Sequence, residues 1–373
     1  MSEYQFVHFI AIDRPLNDEQ LEFMRHQSTR ATVTRREFTN EYHFGDFHGQ
    51  TLEMMRRGFD LHVHFANYGV RQIMFRLPHG FPGGNEILEP YLIEYDLEWE
   101  CDAAGPGGVL SIHPESDGGR WENYFSDLED LLSELTPVRD MLINGDLRPV
   151  YLAWLACQPF ESPEPPVPAG MGTLPDALHA LANFYEINND LLEAAAEESD
   201  SVTEPVEKTL PVQAWFKTMS EKQRLQLLEA LLADDSGLVR AETLQSIRKT
   251  LKTSAWPVRQ TSRTMDDLYR LSEERSQIRV SRENQAKEKQ RKKRLDGMAK
   301  NPADTVAKVF TMIATKSTAK YREAVALLCE LREALGPELG PEFTSSVAAE
   351  LRKAYPRTNG LVSELKKQGF LAK

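Results

Sequence analysis

Lysine is missing from this chain until Lys208. The front half therefore cannot hold a phosphate loop of the GxxxxGK[ST] type, whose lysine reaches the phosphates. Its glycine groups, Gly80-Phe81-Pro82-Gly83-Gly84 and Gly105-Pro106-Gly107-Gly108, are read as turns. Cysteine is nearly as scarce. Cys101, Cys157 and Cys329 lie far apart, which excludes a disulfide framework and a paired zinc motif. No apolar run approaches the roughly 20 residues that span a bilayer, so no membrane partner is expected. Met1-Ser2-Glu3-Tyr4 opens no basic and apolar leader, so no signal peptide is expected and a reduced, cytoplasmic setting is. GxSxG, HExxH, CxxC and Asp-x-Asp calcium motifs are missing, and no cofactor is expected.

Acid and base are unevenly spread. Residues 1–210 hold 37 Asp and Glu against 13 Lys and Arg, and residues 211–373 hold 20 against 31. The net charges are −24 and +11, which sum to the −13 of the whole chain. An acidic front and a basic back are two physically different objects with different partners. The length of 373 residues suits two or three domains.

Local pattern predicts an α+β front. Tyr4–Ile12 reads as a strand. Leu16–Gln27 reads as a helix capped by Asn17. Ala31–His43 is extended. Thr51–Asn67 fits a helix through Leu52, Met55, Phe59, Val63 and Ala66, with Gly69 past its end. Arg71–Leu77 reads as a strand, and Tyr95–Cys101 with Gly108–His113 as a hairpin. Trp121–Leu135 and Leu147–Cys157 read as helices. A small mixed sheet with helices on one face follows, ferredoxin-like in the first instance, as an acidic domain over 1–160.

Four prolines in Glu161–Gly170 predict a stiff linker over 161–170. A helical region over 171–256 follows, with Trp215, Leu225, Leu228, Leu231 and Leu232 lining one helix and Leu238, Leu244 and Ile247 another. Residues 257–300 read as a charged, basic, solvated helical connector. Residues 301–373 read as a TPR-like module of short helices.

Two stretches carry a resemblance. The runs Ala11-Ile12-Asp13-Arg14-Pro15-Leu16, Asn40-Glu41-Tyr42-His43-Phe44-Gly45-Asp46-Phe47, Leu61-His62-Val63-His64-Phe65-Ala66-Asn67-Tyr68-Gly69 and Tyr151-Leu152-Ala153-Trp154-Leu155 resemble a widespread bacterial family of uncharacterised proteins. That resemblance covers about the first 195 residues and brings no activity with it. The runs Tyr321-Arg322-Glu323-Ala324-Val325-Ala326-Leu327-Leu328, Leu361-Val362-Ser363-Glu364-Leu365 and Gly369-Phe370 resemble the helical tail of bacterial SWIM-type zinc-finger proteins. The zinc ligands of those proteins are missing here. The resemblance therefore implies a shared interaction module, without zinc or its nucleic-acid role.

Three sets of residues invite a function. Glu41, His43, Asp46, His48, Asp60, His62 and His64 supply metal-ligating types within a short span. His43, Asp46, Asp60 and His62 are the candidates for a metal or hydrolytic centre. On a helix only Asp60 and His64 would align, whereas on a strand His62 and His64 would share a face. The competing reading makes His43 and His62 buried, hydrogen-bonded histidines among aromatics. Lys289, Arg291, Lys292, Lys293 and Arg294 are the candidates for phosphate contact, against a solvated linker helix or one docked on the chain's own acidic domain. Trp215, Trp256 and Tyr269 are candidate exposed anchors for a protein partner. The leading expectation is a non-enzymatic interaction protein with another protein as partner. A nucleic-acid-associated factor and a metal or hydrolytic domain are the alternatives.

Overall fold

A computed structural model describes residues 4–371 except 44, 83, 115–127, 158, 160, 203–211, 234–238, 240–242, 244–245 and 248–255. It divides into two units, Met1–Arg275 and Ser276–Lys373. The second unit carries 20 Lys and Arg against 11 Asp and Glu. Taken from the totals of 44 and 57, this leaves 24 against 46 in the first. The charge asymmetry thus follows the two units, −22 and +9, with the division well past residue 210.

The first unit is built on seven strands: β1 Gln5–Ile10, β2 Thr32–Val33, β3 Glu37–Tyr42, β4 Leu61–Ala66, β5 Val70–Leu77, β6 Leu97–Cys101 and β7 Gly108–Ile112. Their order is β2-β3-β1-β4-β5-β7-β6. Every pairing is antiparallel, so the sheet is not mixed. The expected ferredoxin-like order is also absent. The connection that leaves β1 returns beside it as β3, its direct antiparallel neighbour, rather than passing over an intervening strand.

Alternation decides which side chains face which way. Phe6, Leu61, Val63, Phe65, Ile73, Phe75, Leu77, Leu110 and Ile112 enter one core. Val7, Phe9, Met74 and Val109 enter a second. Helices cover both faces, where one covered face was expected. α1 (Asp18–Arg25) and α2 (Thr51–Arg57) give Leu21, Met24, Met54 and Met55 to the smaller core. α3 (Leu128–Ile143), α4 (Arg148–Cys157), α5 (Asp176–Phe184) and α6 (Asn189–Ala196) build the larger one. α4 is apolar around its whole circumference, and all but its first residue are buried. α1 begins as its sequence predicts. Asn17 Oδ1 accepts from the Gln20 N–H at 2.8 Å, and Gln20 Oε1 accepts from the Asn17 N–H at 2.8 Å. This reciprocal pair satisfies donors that the first turn leaves open.

The predicted helix over 51–67 is really a helix and a strand. α2 stops at Gly58, and β4 begins at Leu61. Leu61, Val63 and Phe65 alternate with His62 and His64, and pairing to β1 and β5 selects this period over the helical one. Gly69, with φ of +118°, serves the β4–β5 turn instead of a helix end. The helix expected from Trp121 is described from Leu128 onward, and its first turns lie outside the described residues.

Residues 161–170 are not a linker between bodies. β8 (Val167–Pro168) pairs with β9 (Val258–Arg259), and the Glu164 N–H donates to the Arg263 carbonyl at 2.9 Å. Tyr91 Oη donates to the Pro166 carbonyl at 2.6 Å. The Glu164 carboxylate is sealed inside. It accepts from Arg263 Nε and Nη2 at 2.7 and 2.8 Å, from Thr261 Oγ1 at 2.7 Å and from the Tyr151 hydroxyl. A buried carboxylate survives only with such partners. The prolines here sit in extended chain that folds back on the unit.

α7 (Val212–Lys217) and α8 (Glu221–Ala233) follow. The second helix expected around Leu238 and Leu244 falls largely outside the described residues. α9 (Met265–Lys300) buries only Met265, Leu268 and Ser272, near its start. The rest is the solvated helical connector that its composition predicts.

The second unit adds α10 (Pro302–Ala314), α11 (Thr318–Ala334), α12 (Gly336–Ala354) and α13 (Asn359–Lys367). Val309, Ile313, Tyr321, Ala324, Leu328, Val347, Leu351, Leu361 and Leu365 form its core. α12 crosses α11 at Gly340, where a Cβ would lie 2.1 Å from the Arg332 carbonyl oxygen. Only glycine permits that approach.

Candidate functional site

The four candidates for a metal or hydrolytic centre go to four different places. Asp60, at the head of β4, belongs to a buried ion cluster. Its Oδ2 accepts from the backbone N–H groups of Ile12 and Asp13 at 2.7 and 2.9 Å. Its Oδ1 takes Arg139 Nη2 at 3.0 Å. Arg139 also grips Asp13 with both terminal nitrogens, at 2.9 and 2.6 Å, and donates from Nε to the Arg76 carbonyl at 2.8 Å. Burial pushes the Asp60 carboxyl above the ordinary carboxylate range, against the pull of Arg139. The cluster leaves no free nucleophile or base. It ties α3 to the ends of β1 and β4. Sequence reading missed Arg139, although a lone cation beside Leu135, Val138 and Leu142 signals a buried partner.

His62 is wholly buried on β4. Its ring stacks on Phe9 with centroids 3.8 Å apart, and its Nδ1 lies 3.0 Å from the His8 carbonyl oxygen. Nδ1 therefore carries the proton. Burial holds its pKa well below that of free histidine. His64, on the same face, meets Gln5 Oε1 through Nε2 at 3.0 Å. Burial lowers it to about 4. Asp46 accepts from Gln5 Nε2 at 2.6 Å and from the Tyr68 hydroxyl at 3.0 Å. His43 packs near Tyr4, ring centroids 5.6 Å apart. The shared face foreseen for a strand is present, yet the ligands do not converge. Among the described residues no group of three or more His, Cys, Asp and Glu is arranged to hold a metal ion.

The aromatic candidates are a correction. Trp215 and Trp256 are buried, not exposed anchors. Trp256 donates from Nε1 to the Ala169 carbonyl at 3.2 Å, with the Arg148 guanidinium 4.8 Å above its ring. It holds β9 to the unit. Tyr269 is partly buried against the larger core. The exposed apolar groups lie instead on α8. Leu225, Leu228, Leu231 and Leu232 are between 39% and 79% exposed. The spacing of Leu225, Leu228 and Leu232 puts them on one helical face. Val212 and Phe216 of α7 are exposed as well.

The basic run is partly engaged within its own unit. Arg291 Nη2 meets both Glu333 oxygens at 2.8 and 2.7 Å, and Arg294 Nη2 meets Glu330 at 2.6 Å. These pairs join α9 to α11. The Arg291 pair is solvent-exposed and the Arg294 pair has a half-buried Glu330, and each is worth at most about 1 kcal/mol. Both acids belong to the second, basic unit, so these pairs are not the docking on the acidic domain that was expected. Two of the five phosphate candidates are occupied in this way, and Lys289, Lys292 and Lys293 remain exposed.

No described helix is long and apolar enough to cross a membrane. Comparison with protein-family models, with curated proteins and with solved structures finds no match.

Proposed function

We propose that this chain is a non-enzymatic interaction protein whose principal docking surface is the leucine face of α8. One observation carries the reading. Four leucines stand exposed on a single short helix, with Val212 and Phe216 of α7 exposed just before it, whereas most of the large aliphatic side chains described in this unit are buried. An apolar helix face of this kind fits a partner helix through anchors at helical spacing. The first unit bears 46 acids against 24 bases, so the fitting partner is an amphipathic helix with a basic rim. The second unit, a helical module like the tail of SWIM-type proteins in sequence, supplies a separate surface.

The test is binding by the full chain and by its Leu228→Glu/Leu232→Glu variant. Exposed positions tolerate charge, so the variant keeps its near-UV circular dichroism. The reading predicts a co-purifying protein, retained at moderate salt, that the variant loses. Equal recovery by both chains contradicts it. Loss of the bound material at moderate salt, with nuclease sensitivity, would favour the nucleic-acid reading through Lys289, Lys292 and Lys293 instead.

A further inference from the structure

We propose that the histidines on the α1–α2 face of the sheet form an acid-operated release, in which charging His62 frees the α1–α2 layer. The chemistry starts at Nε2. His62 donates from Nδ1 to the His8 carbonyl, while Nε2 is buried and has no hydrogen-bond partner. Adding a proton there creates a donor without an acceptor. It also creates a cation among Phe9, Phe38, Phe59, Met54, Met55 and Met74. The stacked Phe9 ring attracts a cation weakly but accepts no hydrogen bond from it in this parallel geometry.

The surrounding histidines act against a charge on His62. His64 follows on β4, its ring centroid 6.4 Å from that of His62. His8 on β1 and His113 after β7 also act on His62. Positive charge on any of these rings opposes a charge on His62. The nearby acids are directed elsewhere. Asp46 serves Gln5 and Tyr68 and acts on His64; Asp60 holds Arg139; Asp96 acts on His113. On α2, Arg57 pairs with Glu53 and Arg56 lies beside Glu100 and Asp102. Arg76 of β5 pairs with Asp102. No described carboxylate is placed to compensate a charged His62.

The covering layer is small. α1 has 8 residues and α2 has 7, and α2 starts without a side-chain cap. Its core is separate from the larger one, so it opens without disturbing α4. Release uncovers an aromatic face built on Phe9, Phe38 and Phe59.

The experiment is hydrogen exchange on the full chain from pH 7.5 to 4.5, corrected for the intrinsic pH dependence of exchange. Peptides spanning 18–25 and 51–57 report the layer, and 148–157 is the reference. The opening constant of the layer rises about tenfold per pH unit for each histidine that charges on release, while the reference stays protected. His62→Phe removes one such factor. Should His62→Phe misfold at pH 7.5, the wild-type ring proton of His62 decides by NMR: it keeps its neutral shift until the layer opens. The proposal is overturned if the layer follows the reference at every pH, or if His62→Phe keeps the wild-type slope. A His62 ring that titrates smoothly near 6.5 in the closed state overturns it equally.

Discussion

Replacing Arg139 by methionine removes four hydrogen bonds and one charge while keeping most of the side-chain volume. Two of those bonds go to Asp13, one to Asp60 and one to the Arg76 carbonyl. Asp60 then holds a buried carboxylate answered only by the two N–H groups of Ile12 and Asp13. Breaking one side of a buried ion pair costs about 3–5 kcal/mol, a large part of the roughly 5–15 kcal/mol that hold a domain together. With a urea slope of about 3 kcal/mol/M, the midpoint of the first unit falls by about 1–1.7 M. Equilibrium urea unfolding, followed by near-UV circular dichroism, measures it. The sign with pH is fixed. Without Arg139 the already raised Asp60 carboxyl moves further up. Its penalty is therefore small below that value and full above it, and the defect is larger at pH 8 than at pH 5. Adding Asp60→Asn removes the stranded charge and recovers about half the loss. A midpoint shift below about 0.3 M, or an equal defect at both pH values, would refute the structural role assigned to the cluster.

Other outcomes follow from the same contacts. His64 is held at about 4 in the folded chain, below its ordinary 6.5. Its contribution is present above pH 6.5, is lost as pH falls toward 4, and reaches about 3 kcal/mol. The raised Asp60 carboxyl works with the opposite sign. His64→Gln therefore flattens the stability–pH curve by about 1.4 kcal/mol per unit near pH 5, read from urea titrations; an unchanged slope contradicts it. Glu164→Gln strands Arg263, costs about 3 kcal/mol and speeds proteolytic cleavage within residues 256–264. Unaltered cleavage there speaks against the strap formed by β8 and β9. Gly340→Ala drives a methyl group into the Arg332 carbonyl, separates α12 from α11 and lowers the stability of the second unit by about 1–3 kcal/mol, read by thermal unfolding.

Much of the fold was legible because the signals were local. Asn17 with Gln20 forms the expected cap, and Gly105 to Gly108 make the expected turn between β6 and β7. The long helix ending at Lys300 has the polarity of a solvated connector. The misreadings share a cause, which is that tertiary pairing outweighed local pattern. Val63 fits a helical stripe and a strand equally, and only its neighbours on β1 and β5 decide. Pro165 and Pro166 look like linker until Tyr91, Tyr151 and Arg263 fasten the chain around them. Trp256 carries no local mark that separates an anchor from a core residue. Long-range ion pairs such as Asp13 with Arg139 leave no spacing to read, whereas the leucines of α8 were visible as a face, though not as an uncovered one.

The most direct test of an interaction protein docking through α8 is photocrosslinking from a benzoylphenylalanine placed at position 228 of the full chain in its own cell. The account predicts a discrete protein adduct whose crosslinked peptide, sequenced by mass spectrometry, has apolar residues at helical spacing flanked by Lys and Arg, and which Leu232→Glu abolishes. No protein adduct, or an adduct that persists with Leu232→Glu, would contradict it.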